Sequence, residues 1–247
     1  MKQLIHIHGS GTNIKVHHTD YKNHAWVNIS HLRSATKHSK LWALTISDGL
    51  LLTPNELKNR NAIEVMNFDK NQSYLHRLQR REHVSNITVD ILFCNSNKTK
   101  NEIKHRLKEM NVMYKDLHIS SDLQINSFVK QALGSQYRKS NVYKNLTTMQ
   151  MLKIFCSQLF KLRIKYPSQV RPSTGIATLL LFLFKYPNND VRFEVTGISG
   201  KISSDDVHPI DKEILSKLKN HPRFQFVKIN HTEGPLGFEV YNDQFGL

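Results

Sequence analysis

Cysteine, acidic residues and long apolar runs are all scarce in this chain. Only Cys94 and Cys156 occur in 247 residues, each inside a short apolar segment, ILFC and IFC. Two such cysteines make no disulfide scaffold, and the absence of CxxC or Cys/His finger spacing argues against a structural zinc module. Both thiols are expected to be buried, in a reducing compartment. The longest apolar stretch, 176–184, is about half of what a helix needs to span a bilayer. The opening MKQLIHIHGSG has too few apolar residues for a secretory signal. The expectation is a cytoplasmic protein, at most peripheral on the inner membrane.

Several catalytic signatures are missing as well. No HExxH occurs. Gly9-Ser10-Gly11 follows an apolar segment, but Ile14 stands where a dinucleotide fingerprint needs its third glycine. Gly197-Ile198-Ser199-Gly200-Lys201 has Val195 in place of the first glycine of a P-loop and Ile202 in place of its Ser or Thr. That excludes an NTPase P-loop. No DxD occurs either, which argues against glycosyltransferases that hold a nucleoside diphosphate sugar through a divalent metal.

The acid shortage leaves 35 Lys and Arg against 20 Asp and Glu, a net charge of +15. Such an excess predicts an anionic partner: nucleic acid, an acidic membrane surface or an anionic sugar donor. The basic residues read as spread along the chain. With 39% hydrophobic and 22% charged residues, the chain fits a folded, soluble protein better than a disordered one.

Strand patterns fall at 3–8, 24–29, 41–46, 87–94, 191–195 and 224–229. Helical patterns fall at 101–110, 148–162, 175–186 and 211–219. Strands alternating with helices predict an α/β fold: a Rossmann-like, mostly parallel sheet flanked by helices. Nothing marks a domain boundary, so 1–247 is expected to be a single domain, with 98–170 as a basic, helical lid or insertion. In such folds ligands gather at the carboxyl ends of the strands. Those ends are GSG, NIS, SDG, NSN and TGISGK, rich in small and amide residues.

Four features could carry chemistry there. The GSG turn brings backbone close to a ligand or is a plain tight turn. His6 and His8 lie two apart, hence on one strand face, but no third metal ligand is evident and scattered histidines remain the simpler reading. Arg171-Pro172-Ser173-Thr174-Gly175 opens the apolar helix. Two hydroxyls and free N–H groups at a helix N-terminus suit an anion, and Ser173 or Thr174 equally suits a plain cap. His208-Pro209-Ile210-Asp211-Lys212-Glu213 starts another helix, with Pro209 fitted to its first position and Asp211 and Glu213 to its dipole. A neutral His208 ahead of that helix can take a proton from a hydroxyl or act as a cap.

In order and spacing these elements resemble the sialyltransferases, especially the compact bacterial enzymes that use CMP-sialic acid. The resemblance rests on HIHGSGTNI, WVN, ALTISDG and DILFCNSN, then RPSTG, VTGIS and HPIDKEIL. The last three are its most specific part. It implies an inverting, metal-independent glycosyltransferase moving sialic acid from CMP-sialic acid to a hydroxyl of a surface glycan or glycolipid, such as lipopolysaccharide or capsule. Gly9, Ser10, Gly11, Asn28 and Asn95 would lie near the donor. Ser173, Thr174 and Gly175 would hold the CMP portion, with Gly197 and Lys201 nearby. His208 would be the general base. No cofactor is implied, because protein donors can replace a metal for a monophosphate leaving group. The chain has Ser10 where the bacterial family has Asn, and Lys201 near the place of a family Tyr. Those differences would suit a related donor, CMP-Kdo (Kdo being 3-deoxy-manno-octulosonic acid). A non-catalytic, basic nucleic-acid-binding protein is the alternative of another class, without a recognisable nucleic-acid motif to support it.

Overall fold

Seven parallel strands and one antiparallel strand form a single sheet in the computed structural model. The structure describes residues 3–9, 25–29, 40–56, 81–82, 84–185, 190–198, 209–231 and 238–241. The strands are β1 (Gln3–His8), β2 (Ala25–Ile29), β3 (Leu41–Ser47), β4 (Ile87–Asn95), β5 (Val112–Ser120), β6 (Val191–Thr196), β7 (Phe224–His231) and β8 (Phe238–Tyr241). Their order is β5-β4-β3-β2-β1-β6-β7-β8. The sheet grows outward from β1 to β5, then crosses back to place β6 on the other side of β1. That reversal is a topological switch point.

Six of these strands lie where the sequence patterns predict them, with ends shifted by two residues at most. β5 and β8 have no counterpart in those patterns. β5 is an edge strand with Lys115 and Asp116 in its middle, and charge on an edge masks the apolar run that marks a buried strand. The segment expected to be a helical insertion, 98–170, therefore begins with elements of the main layers. Helix α1 (Lys100–Glu109), β5 and helix α2 (Asp122–Leu133) all belong to the sheet and its flanks.

Beyond α2 the chain continues through a 3-10 turn (Gly134–Lys139), short helix α3 (Asn141–Lys144) and helix α4 (Thr148–Phe160). Helix α5 (Thr174–Lys185) and helix α6 (Ile210–Leu218) then flank β6 in sequence. Local chemistry sets three helix starts. Thr99, Ser121 and Thr147 each form a capping box with the Glu or Gln three residues on.

Strand periodicity sorts side chains onto two faces. One face offers Ile7, Val27, Ala43, Phe93 and Val195 to α2, α5 and α6, where Ile125, Val129, Leu179, Leu180 and Ile214 pack on it. The residues 176–182 of α5 are all buried, so the greasiest run of the chain is a core helix. The other face is apolar under α1, where Leu44, Leu92 and Cys94 meet Ile103 and Leu107. Burial pushes the Cys94 thiol well up, leaving it inert. Cys156 is only half-buried, contrary to expectation, because α4 turns most of its surface outward. No described helix is long and apolar enough to cross a membrane.

Across β6, β1 and β2 that second face is polar and aromatic. Glu194, His6 and Trp26 stand side by side in register. His6 stacks on Trp26 at 4.2 Å, and its Nδ1 lies 2.9 Å from Glu194 Oε1. His8 stacks on the same indole at 4.7 Å and meets Thr196 Oγ1 at 2.6 Å. The two histidines share a face, as their spacing predicts, and both are buried. Their partners on neighbouring strands include a carboxylate, a hydroxyl and a tryptophan.

Candidate functional site

The site is built where β1 and β6 part. β1 ends at His8, and the next residue, Gly9, donates its N–H to the Thr196 carbonyl at 2.8 Å. β6 ends at Thr196, and Gly197 turns the chain with φ +68°. The two glycine backbones touch. A side-chain carbon on Gly9 would strike the Gly197 carbonyl, and one on Gly197 would lie 2.9 Å from the Gly9 oxygen. Only glycine allows this approach, and at 197 only glycine adopts the φ without strain.

Ile198 carries the contact onward. It is almost fully buried, and a side-chain carbon on Gly175 would sit 3.4 Å from its Cδ1. Gly175 lies in the first turn of α5, so the N-terminus of that helix abuts the β6 turn. Ser173 caps it: its Oγ accepts from the Ile176 N–H at 3.5 Å. Its own N–H donates to Asp211 Oδ1 at 3.0 Å. Asp211 is buried in the first turn of α6, and so the HPID element is fastened to the RPSTG element. Among the described residues no acceptor meets the N–H groups of Thr174 and Gly175. Among the described residues they are the first-turn donors without an acceptor. Thr174 offers a hydroxyl beside them, while its carbonyl takes the Thr178 hydroxyl at 2.7 Å.

Arg171, first residue of the RPSTG element, reaches back to α2. Its Nη1 lies 3.8 Å from Asp122 Oδ2, which also accepts the Tyr166 N–H at 2.9 Å. Asp122 in turn donates its N–H to Asn97 Oδ1 at 2.9 Å. The entry to α5 is thereby tied to the end of β4.

The sequence-predicted residues divide into three groups. Gly9, Ser173, Thr174, Gly175 and Gly197 come together. Asn28 is buried at the end of β2 and pairs in register with His8, one strand from the meeting point. Asn95 stands apart. It closes β4, three strands from β1, a separation of about 14 Å at ordinary strand spacing. Its Nδ2 is buried without a hydrogen-bond partner among the described residues. Ser10, Gly11, Lys201 and His208 lie outside the described residues. Helix α6 is regular from Ile210, and Pro209 already has helical backbone angles. The start predicted from the proline therefore holds to within one residue, and His208 directly precedes it.

Sequence reading missed Ile198 and the fastening role of Asp211. The signal for the second was present: Asp211 is the acidic residue of HPID, which the sequence reading takes only as a complement to the helix dipole.

Chemically this meeting point offers, among the described residues, two backbone N–H donors at the positive end of a helix, a hydroxyl and a strand end with no room for side chains. That set suits a compact anion such as a phosphate monoester. Compared with family models, with curated proteins and with solved structures, the chain finds no match.

Proposed function

We propose that this chain is an inverting, metal-independent glycosyltransferase that takes sialic acid from CMP-sialic acid. What supports the reading is one observation. The described parts of motifs separated by up to about two hundred residues, HIHG, RPSTG, VTGI and PID, meet at the switch point through Gly9–Gly197, Gly175–Ile198 and Ser173–Asp211. Those are the elements that carry the resemblance to the sialyltransferases.

In this reading the N–H groups of Thr174 and Gly175 hold the CMP phosphate. The acceptor hydroxyl oxygen attacks the anomeric carbon, and its proton passes to His208. The bond from that carbon to the phosphate oxygen breaks, and CMP leaves with the electron pair. General base catalysis by the imidazole would contribute about 10² to 10⁴ in rate. The acceptor would be a surface glycan or glycolipid. CMP-Kdo is the alternative donor.

The test is CMP release from CMP-sialic acid and from CMP-Kdo by the wild-type chain and by His208→Ala. The expected result is release from one donor, reduced at least about a hundredfold by the substitution. Absence of both binding and release with either donor would remove the reading. Tight, steeply salt-dependent binding to RNA or DNA in its place would favour a nucleic-acid-binding protein.

A further inference from the structure

Helix α4 shows the solvent an apolar face that no described residue covers. Of its thirteen residues only Ile154 and Ser157 are buried. Met149, Phe155, Leu159 and Phe160 are each more than 60% exposed, and Met151 and Leu152 about half. Apolar patches of this kind on a folded domain mark an interaction surface. At its inner edge the helix borders a mostly apolar cavity of about 430 Å³ between Tyr137, Tyr143, Met151 and Phe155, with Lys130 and Lys144 also on its wall.

The stretch of chain that carries this face has charge of one sign. No Asp or Glu occurs between Asp122 and Asp190, while that stretch carries ten Lys and Arg. The basic excess is therefore concentrated here, where reading the positive residues alone suggested an even spread. Lys144, Lys153, Lys161 and Arg163 are all exposed on or beside α4. A short helix with bulky apolar residues on one side and lysines around them has the make-up of an interfacial membrane helix.

We infer that α4 docks this protein on a membrane surface containing anionic lipid. Its Met, Leu and Phe side chains enter the headgroup boundary, and the flanking lysines pair with lipid phosphates. A second copy of the chain fits less well, because joining two such faces sets the cations on and beside α4 against each other. A nucleic acid would use the cations but not the exposed Met and Leu side chains. The inference is independent of the transfer reading, since membrane partition is measured without any sugar donor and either can fail alone.

The experiment is co-sedimentation of the full chain with phosphatidylcholine vesicles, with and without phosphatidylglycerol. Binding is expected with phosphatidylglycerol and is expected to weaken with salt. Replacing Phe155, Leu159 and Phe160 together by Ser should lower partition by about tenfold or more. Lys153→Gln and Lys161→Gln should each lower it about fivefold. These side chains are exposed, so circular dichroism and the melting temperature should match wild type. Failure of folded wild type to bind anionic vesicles overturns the inference, as does unchanged partition of the triple Ser variant. A dimer that the triple variant converts to monomer, with no vesicle binding by either, also overturns it and assigns the face to a second copy.

Discussion

Helices α5 and α4 are nearly equal in length and both rich in Leu, Phe and Ile, yet one is the centre of the core and the other lies open. Residues 176–182 of α5 are sealed between the sheet, α2 and α6, whereas α4 buries two residues. Apolar spacing makes a helix in both cases. Whether that apolar surface finds a partner inside the molecule depends on topology: α5 is the crossover into β6 and must lie on the sheet, while α4 belongs to a connection that leaves it.

Substitutions can break or sharpen this contrast. Leu180→Ala in α5 should cost about 2–5 kcal/mol in denaturant unfolding, because Leu180 is fully buried. Leu159→Ala in α4 should stay within about 0.5 kcal/mol of wild type, because Leu159 is 61% exposed. Similar costs at the two positions would mean that α4 is covered.

The next largest effect is expected at the switch point. Gly9→Ala forces a methyl into the Gly197 carbonyl and should cost about 1–3 kcal/mol, read by the same unfolding curves. An open position such as Gly49, where an added carbon meets nothing closer than 4.0 Å, should tolerate the change. Equal tolerance at Gly9 would mean that the two backbones do not touch.

A smaller effect than at the switch point is expected at the far edge of the sheet. The Lys115 ammonium hydrogen-bonds Asp90, and with the Trp42 N–H it holds the Asp90 carboxyl below its usual range. A depressed carboxylate stabilises the fold above the ordinary pKa of Asp and stops doing so as pH falls through the lowered value. Asp90→Asn should therefore cost at most about 1 kcal/mol at neutral pH, given the solvent-screened setting. The difference from wild type should vanish in acid. Unfolding curves from neutral pH down to the acid range check this, and a difference that grew in acid would contradict it.

Much of the layered fold was legible in the sequence because buried parallel strands are continuous apolar runs, as in AWVNI and LWALTIS, and such runs stop where the sheet ends. β5 was hidden because the adjacent charges of Lys115 and Asp116 interrupt its apolar run. At the site, the glycines and the Ser-Thr-Gly element were visible as residue types. Their meeting was not, since His8 and Thr196 are 188 residues apart and only the strand order joins them. Asn95 shows the reverse limit. Its position at a strand end was read correctly, but three intervening strand spacings keep it from the cluster. The open face of α4 was invisible because spacing reports a helix and says nothing of what covers it.

The central claim is that a CMP-bearing donor sits against Gly9, Gly197 and the first turn of α5. Amide hydrogen exchange with and without CMP tests it most directly. The account predicts slowed exchange at Gly9, Gly197 and residues 174–176, with the end of β4 at Asn95 unchanged. Protection confined to Asn95 and its neighbours, or none at saturating CMP, would contradict it.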